Sequence, residues 1–172
     1  NINFTNVCFV GCQFCAFARH RKDGDARTDT TQDVLQKVQE AVDLGASEIC
    51  MQGGINPEMD AFFYRDLLQD IRAQFPQLHI HAFSPMEIMY GTRRTGMSYR
   101  DYLTMLRDAG LNTMPGTAAE ILDDDVREIL SYKKVDVRTW VDIITTAHDL
   151  GIRTSSTLMY GHVELSLIHI SE

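Results

Sequence analysis

The chain has 172 residues, of which 44% are hydrophobic and 23% charged, and its formal net charge is −8. These values predict one globular domain with a hydrophobic core and exclude a disordered chain. The negative charge argues against nucleic acid as a main partner, and no apolar run approaches the length of a membrane span. No signal peptide is recognisable, and the sequence begins without Met inside an apolar strand. We therefore interpret it as a fragment.

The first half of the chain predicts three strands separated by two amphipathic helices. In chain order the elements are a strand at residues 1–7, a helix from Thr30 or Thr31 to Leu44, a strand at 47–52, a helix at 60–74 and a strand at 78–83. The threonines are suited to cap the first helix, and Gly45 is suited to end it. The second helix carries apolar side chains four residues apart, as a buried helical face requires.

The second half predicts two further strands and mostly helical connections. The elements are a short helical insert at 84–91, a helix at 98–109, a strand at 112–114, helical turns at 123–130, a helix at 137–150 and a strand at 153–159. The last helix is expected to turn five apolar side chains inward: Val137, Trp140, Val141, Ile144 and Ala147.

Repeated strand–helix–strand units predict an α/β fold with a parallel sheet. The apolar strands and amphipathic helices favour a TIM-type (β/α) barrel over an open doubly wound sheet. Five strands cannot close an eight-stranded barrel, so we expect about five parallel βα units of a larger barrel. The fifth strand should then have an unpaired edge.

Three closely spaced cysteines near the start carry the main chemical signal. Cys8, Cys12 and Cys15 have the spacing C-x3-C-x2-C, and Phe14 precedes the last of them. A structural zinc site and an ordinary ferredoxin cluster each take four protein ligands. A three-cysteine set leaves one iron of a [4Fe–4S] cluster open, where S-adenosylmethionine (SAM) can chelate and be cleaved to a 5′-deoxyadenosyl radical. The spacing therefore indicates a radical SAM enzyme.

Two alternatives remain open for these cysteines. They could be buried small hydrophobic residues that are close by chance, or part of a zinc site with a distant ligand such as His20. The fourth cysteine, Cys50, lies in the apolar run 49–51, and we interpret it as a packing residue and not as a ligand. Cysteines in a metal-like spacing fit the reducing cytoplasm better than a disulfide framework.

Polar residues follow each predicted strand at its carboxyl end, which is where (β/α) barrels hold their functional sites. Paired glycines after the second strand allow close approach of a ligand to the backbone. A run of four hydroxyl side chains at 154–157 favours a polar barrel lumen. Beyond the cysteine loop, the polar strand-end residues are Gln52, Gly53, Gly54, Ser84, Glu87, Thr117, Glu120, Tyr160, His162 and Glu164.

Taken singly, these residues are weaker signals. Glu120 follows a Gly-Thr turn and suits a ribose hydroxyl or the ammonium group of SAM. His162 suits a substrate contact or a proton carrier. For Glu87 and Glu164, an ordinary surface carboxylate is an equally good interpretation.

Five segments resemble one group of radical SAM enzymes. They are residues 3–18, 51–55, 81–87, 115–123 and 159–164, and the resemblance extends over residues 1–164. The group contains the tyrosine-using subunit of FO synthase, aminofutalosine synthase and cyclic dehypoxanthinyl futalosine synthase. The segments at 51–55 and 81–87 look most like the FO synthase subunit.

This resemblance implies a transferase that cleaves L-tyrosine and adds the 4-hydroxybenzyl group to 5-amino-6-(D-ribitylamino)uracil, in the biosynthesis of FO and coenzyme F-420. It implies a [4Fe–4S] cluster ligated by Cys8, Cys12 and Cys15. Implied partners are a cyclising FO synthase subunit or fused domain, and an electron donor such as flavodoxin or ferredoxin. Implied SAM-site residues are Phe14, Gln52, Gly53, Gly54, Ser84, Thr117 and Glu120, and implied catalytic residues are Tyr160, His162 and Glu87.

The resemblance ends before the chain does. We interpret residues 1–164 as an incomplete radical SAM core and residues 165–172 as an atypical tail of foreign sequence. One alternative function is that of an aminofutalosine synthase-like enzyme of menaquinone biosynthesis, in which the adenosyl radical adds to an enol ether. Another is a non-catalytic iron–sulfur module, which the polar strand ends disfavour because an electron carrier needs no such pocket.

Overall fold

The computed structural model describes residues 1–117, 119–161 and 163, which alternate between strands and helices. The strands are β1 (Ile2–Asn3), β2 (Glu48–Gln52), β3 (His79–Ala82), β4 (Thr113–Met114) and β5 (Arg153–Thr154). The helices are α1 (Thr31–Asp43), α2 (Phe63–Gln74), α3 (Pro85–Thr95), α4 (Tyr99–Ala109), α5 (Asp124–Ser131) and α6 (Val137–Asp149). None of these helices is long and apolar enough to cross a membrane.

The five strands form one parallel sheet in the order β1-β2-β3-β4-β5. The longest pairing joins β2 to β3 and sets Ile49 opposite Ile80. Sequential parallel strands joined by helices are the arrangement of a (β/α) barrel, and this confirms the predicted fold class. Among the described residues, β5 pairs in the sheet only with β4.

The core lies between the sheet and the helices that cover it. Phe4, Met51 and Ile80 are fully buried, and Phe83 packs with its ring centroid 4.5 Å from that of Tyr64. Helix α3 packs against both α4 and α6. Most predicted helical faces are buried as expected, but Val141 of α6 is 40% exposed and Ile143 is buried in its place.

Two strands are shorter than predicted because the chain leaves the sheet early. After β1 the chain forms isolated bridges between Thr5 and Thr28 and between Val7 and Arg19. After β5, residues 155–157 are exposed. Thr154 of the hydroxyl run is half-buried, so a polar lumen lined by residues 154–157 stays a prediction.

Helix α3 is longer than predicted because Gly91 does not end it. A Cβ atom at Gly91 would lie 2.2 Å from the hydroxyl oxygen of Tyr102, so this glycine allows α4 to approach α3 closely. The helix ends instead at Gly96, whose φ of +73° suits glycine.

Candidate active site

A cleft of about 260 Å³ lies at the carboxyl ends of β1 to β4. Its wall contains every residue that was predicted to bind metal or SAM: Cys8, Cys12, Phe14, Cys15, Gln52, Gly53, Gly54, Ser84, Thr117 and Glu120. These residues come from four separate strand ends, so the parallel topology is what brings them together.

The base of the cysteine loop is held by backbone hydrogen bonds. The Cys8 N–H donates to the Arg19 carbonyl oxygen at 3.0 Å, and the Arg19 N–H donates to the Asn6 carbonyl oxygen at 2.8 Å. At the other end of the loop, the Cys15 N–H donates to the Cys12 carbonyl oxygen at 3.1 Å. Cys8 and Cys12 are half-buried, whereas Cys15 is exposed. The loop therefore has a fixed base and an accessible tip.

The three thiols share one electrostatic environment. Burial raises the pKa of Cys12, the ammonium of Lys134 lowers it, and the nearby Cys8, Glu120 and Cys15 raise it. Burial and like charges both disfavour a thiolate, so a positive charge beside the thiol favours the ligand form of cysteine.

The three thiols that line the cleft, those of Cys8, Cys12 and Cys15, fit a [4Fe–4S] cluster that keeps one iron open. His20, the distant ligand considered for a zinc site, does not line the cleft.

The glycine pair after β2 fits tightly beneath the cysteine loop. A Cβ atom at Gly53 would lie 2.3 Å from the Phe4 ring. A Cβ atom at Gly54 would lie 2.3 Å from the Val7 carbonyl oxygen and 3.0 Å from the Cys8 Cβ atom. Only glycine allows this approach, so the pair sets the height of the loop above the sheet.

Glu87 lies behind the cleft wall and does not line the cleft. Its carboxylate accepts hydrogen bonds from the Gly53 N–H at 3.1 Å, the Ser84 N–H at 2.6 Å and the Ser84 hydroxyl at 2.7 Å. Burial raises its pKa to about 7, and the hydrogen bonds from Ser84 and Gly53 oppose that shift. Glu87 is 1% exposed and joins two strand ends. Its position is that of a support for the wall, not of a group facing a substrate.

A second link joins the ends of β2 and β4. The Thr117 hydroxyl donates to the Gln52 Oε1 atom at 2.7 Å. Both residues line the cleft, so this contact fixes the side-chain amide of Gln52 across the position of β3.

Glu120 lies in the cleft wall in a strained conformation. Its φ of +41° lies in the left-handed region, which a residue with a side chain adopts at a cost. Its Oε1 atom accepts a hydrogen bond from the Lys134 ammonium at 2.6 Å. Its Oε2 atom is shielded from solvent and has no hydrogen-bond partner among the described residues.

Two cationic residues of this site were not predicted. Lys134 lines the cleft with its Nζ atom 5.2 Å from the centroid of the Phe14 ring. Arg127 is 4% exposed and donates to the carbonyl oxygens of Ala119 and Val135 at 2.6 and 3.1 Å. Both follow β4 at a distance in sequence, and no spacing pattern connects them with the cysteines.

Of the polar residues predicted after β5, the structure describes Tyr160 and does not bring it into the cleft. Tyr160 is 75% exposed and does not line the cleft. His162, Glu164 and the predicted tail at 165–172 lie outside the described residues.

Residues 2–167 match the sequence model of the Radical SAM superfamily. The chain belongs to this superfamily. Membership implies a [4Fe–4S] cluster and SAM as cofactors, and the three thiols beside the glycine pair are compatible with both. The three-cysteine pattern of the sequence agrees with this membership.

Radical SAM relatives and solved structures resemble almost the whole chain. The chain is 54% identical over 164 residues to "FO synthase" of Streptomyces avermitilis, covering 95% of this chain and 19% of the relative. It is 48% identical to "5-amino-6-(D-ribitylamino)uracil--L-tyrosine 4-hydroxyphenyl transferase" of Methanothermobacter thermautotrophicus, covering 95% and 45%. The crystal structure of HydG, a maturase of the [FeFe]-hydrogenase, matches with a TM-score of 0.71 at 15% identity, covering 93% and 34%.

The two kinds of match support different statements. At 15% identity, the likeness to HydG supports the fold alone. The chain spans about a fifth of the FO synthase and less than half of the archaeal transferase.

Proposed function

We propose that this chain carries the SAM and cluster site of a radical SAM transferase that cleaves L-tyrosine and transfers the 4-hydroxybenzyl group to 5-amino-6-(D-ribitylamino)uracil. The observation that carries the proposal is the 48% identity, over 164 residues, to a relative named for this reaction. That identity extends over 95% of this chain. FO synthases at 52–54% identity agree with it.

In this proposal Cys8, Cys12 and Cys15 each ligate one iron of a [4Fe–4S] cluster, and the fourth iron stays open for SAM. When bound, the cluster and SAM supply the 5′-deoxyadenosyl radical that abstracts a hydrogen atom from tyrosine. The fixed base of the loop holds the three sulfurs on one wall of the cleft, so binding of the cluster requires little reorganisation of the chain.

The remaining cleft residues bind and orient SAM in the same proposal. The backbone of Gly53 and Gly54 approaches the cluster loop closely enough to contact the amino group of SAM. Phe14 offers an aromatic surface to the adenine ring, and Glu120 offers a carboxylate oxygen to a ribose hydroxyl or to the ammonium group. The apolar side chains of Val10 and Ile55 exclude water between these polar groups.

Substrate and protein partners follow from the same relatives. L-tyrosine and the ribityl-uracil would enter from the carboxyl ends of the strands, with Tyr160 and His162 as the proposed substrate contacts. A cyclising FO synthase subunit or fused domain would use the product. Flavodoxin or ferredoxin would supply the electron, and the exposed Cys15 marks the accessible side of the loop.

A chimera tests the reaction without depending on the length of this chain. Residues 1–161 replace the matching segment of the archaeal transferase, and the reconstituted protein receives SAM, a reductant, tyrosine and the ribityl-uracil without oxygen. We expect release of 5′-deoxyadenosine, cleavage of tyrosine and formation of the uracil adduct, as in the unmodified relative. Consumption of SAM while tyrosine stays intact contradicts the proposal. Incorporation of the adenosyl group into a product would indicate aminofutalosine chemistry instead.

A further inference from the structure

An ion pair between Lys134 and Glu120 lies in the wall of the cleft. Lys134 donates to Glu120 Oε1 at 2.6 Å, and the two side chains are only 14% and 12% exposed. Ion pairs on open surfaces contribute little, whereas a pair shielded from solvent holds both side chains in one geometry. Both residues line the cleft, so the pair belongs to the cleft wall and not to the outer surface.

The carboxylate of Glu120 is only half satisfied by this contact. Its Oε2 atom is buried and accepts no hydrogen bond from any residue that the structure describes. A buried carboxylate oxygen without a donor is costly, and a ligand that supplies an N–H or O–H group removes this cost. The donors that the proposed ligand offers are the ribose hydroxyls and the ammonium group of SAM.

The backbone around the pair is braced by one buried side chain. Arg127 donates to the carbonyl oxygens of Ala119 and Ile121, which flank Glu120, at 2.6 and 3.2 Å. The same guanidinium donates to the carbonyl oxygen of Val135, next to Lys134, at 3.1 Å. One rigid group therefore fixes the chain on both sides of the ion pair, including the strained φ of Glu120.

Lys134 is also held from its other side. Its Nζ atom lies 5.2 Å from the centroid of the Phe14 ring, in the cysteine loop, within the range of a cation–π contact. The ammonium thus has two fixed neighbours, and its position depends on the fold and not on a flexible surface.

We propose that Lys134 is a positioning residue for SAM: it holds Oε1 of Glu120 and thereby fixes the carboxylate whose unpaired Oε2 oxygen accepts a hydrogen bond from a donor group of the bound SAM. This inference rests on the proposed function, because it takes SAM as the ligand. In this role Lys134 acts through Glu120. Removing Lys134 and removing the carboxylate of Glu120 should then have effects that do not multiply, because each change disrupts the same contact.

The test measures the Kd of SAM for the cluster-reconstituted, unreduced protein, so that no turnover occurs. Lys134→Met and Glu120→Gln are each expected to weaken SAM binding about tenfold, the loss of one good hydrogen bond to a charged group. The double variant is expected to bind no more weakly than the weaker single variant. Lys134→Arg keeps the charge and the donors and should restore binding.

Lys133→Met is the matched control, because it removes the same charge one residue away. Lys133 is exposed, lies over the Tyr132 ring and does not line the cleft. Its SAM affinity should equal that of the unmodified protein. Melting temperature and iron content are measured on every variant, and SAM affinity is compared between folded proteins with full iron content, which separates positioning from a loss of structure or of the cluster. If Lys134→Met does not fold, Lys134→Gln gives the same comparison with the charge removed and a donor retained.

The outcomes separate this inference from the function on which it rests. If the unmodified protein fails to bind SAM, the proposed function is wrong, and this inference falls with it. If the unmodified protein binds SAM and Lys134→Met binds it equally well, only the role of Lys134 is wrong. Multiplying losses in the double variant also overturn that role, because they show that Lys134 and Glu120 act independently.

Discussion

The thiols of the cysteine loop differ from the fourth cysteine in what surrounds them. Cys8, Cys12 and Cys15 line the cleft, whereas Cys50 lies in β2 and accepts a weak hydrogen bond from Gln52 Nε2 at 3.8 Å. Replacing any one of the three loop cysteines by Ala should abolish stable cluster assembly, because a cube bound through two thiolates has lost a third of its protein ligands.

This expectation is tested by measuring the iron and sulfide content of each variant after anaerobic reconstitution. Cys50→Ala is the matched control and should retain the full content, since Cys50 does not line the cleft. A loop variant that keeps its full iron content, or a Cys50→Ala protein that loses it, would show that the ligands have been assigned wrongly.

Glu87 should make the stability of the fold depend on pH. Its pKa rises from 4.5 to about 7 on burial. Between these values the folded chain binds more protons than the unfolded chain, so the stability that this group contributes falls as the pH rises from about 4.5 to about 7. The free energy of unfolding should therefore fall by on the order of 3 kcal/mol between these two pH values.

Chemical denaturation at several pH values, compared between the unmodified protein and Glu87→Gln, isolates this carboxyl group. The glutamine cannot ionise, so its variant should lack the fall between pH 4.5 and 7. His81, whose pKa is lowered by burial, contributes an opposite slope to both proteins and cancels in the difference. If the stabilities of the two proteins change with pH in the same way, Glu87 is not the source of the pH dependence.

Residues at the carboxyl ends of the strands were predictable, whereas residues that come from farther along the connection after β4 were not. The cysteines and the glycine pair can be recognised from their spacing, because the members of each set lie within a few residues of one another. Lys134 lines the cleft and Arg127 of α5 braces the chain beside it, so both roles depend on three-dimensional packing. Glu87 was assigned to the right strand end, but only the structure shows that it points behind the wall.

The glycine pair after β2 packs against the start of the cysteine loop, which follows β1 in the chain. Gly54→Ala would bring a Cβ atom to 2.3 Å from the Val7 carbonyl oxygen and 3.0 Å from the Cys8 Cβ atom. The loop must then rise from the sheet, at a cost of about 1–3 kcal/mol for such overpacking. Cys8 moves with the loop, so the iron content after reconstitution should fall together with the melting temperature.

Gly24→Ala provides the control for this substitution. A Cβ atom at Gly24 meets nothing within 4 Å, so the same chemical change should leave both iron content and melting temperature unaltered. Equal behaviour of the two variants would mean that the loop does not rest on the glycine pair.

Elements defined by hydrophobic periodicity were predicted well. An element was predicted poorly where its end depends on one residue type that can serve two structural roles. Helices α1 and α4 begin at their capping residues Thr30 and Ser98 as the sequence indicates. Gly91 predicts a helix end, yet it lies inside α3 because the Tyr102 side chain occupies the space where a Cβ atom would be. No local pattern distinguishes these two uses of glycine.

The parallel sheet explains both the position of the cleft and its exposure to solvent. The sheet runs from β1 to β5, and the cleft lies at the carboxyl ends of its first four strands. Cys15 and Tyr160 are exposed near this end of the described structure. Radical chemistry requires a site that excludes water and competing donors. We therefore expect cluster binding and protection of the radical chemistry to be separable in this chain.

We expect the 172-residue chain to bind the cluster and cleave SAM without coupling that cleavage tightly to tyrosine. Because the described sheet leaves the cleft open, the radical can be quenched before it reaches the substrate. The measurement compares 5′-deoxyadenosine released with tyrosine cleaved, for this chain and for the chimera with the archaeal transferase. The chain should release an excess of deoxyadenosine, whereas the chimera should give equal amounts. Sustained turnover with equal amounts from the 172-residue chain alone would show that its five strands already shield the site.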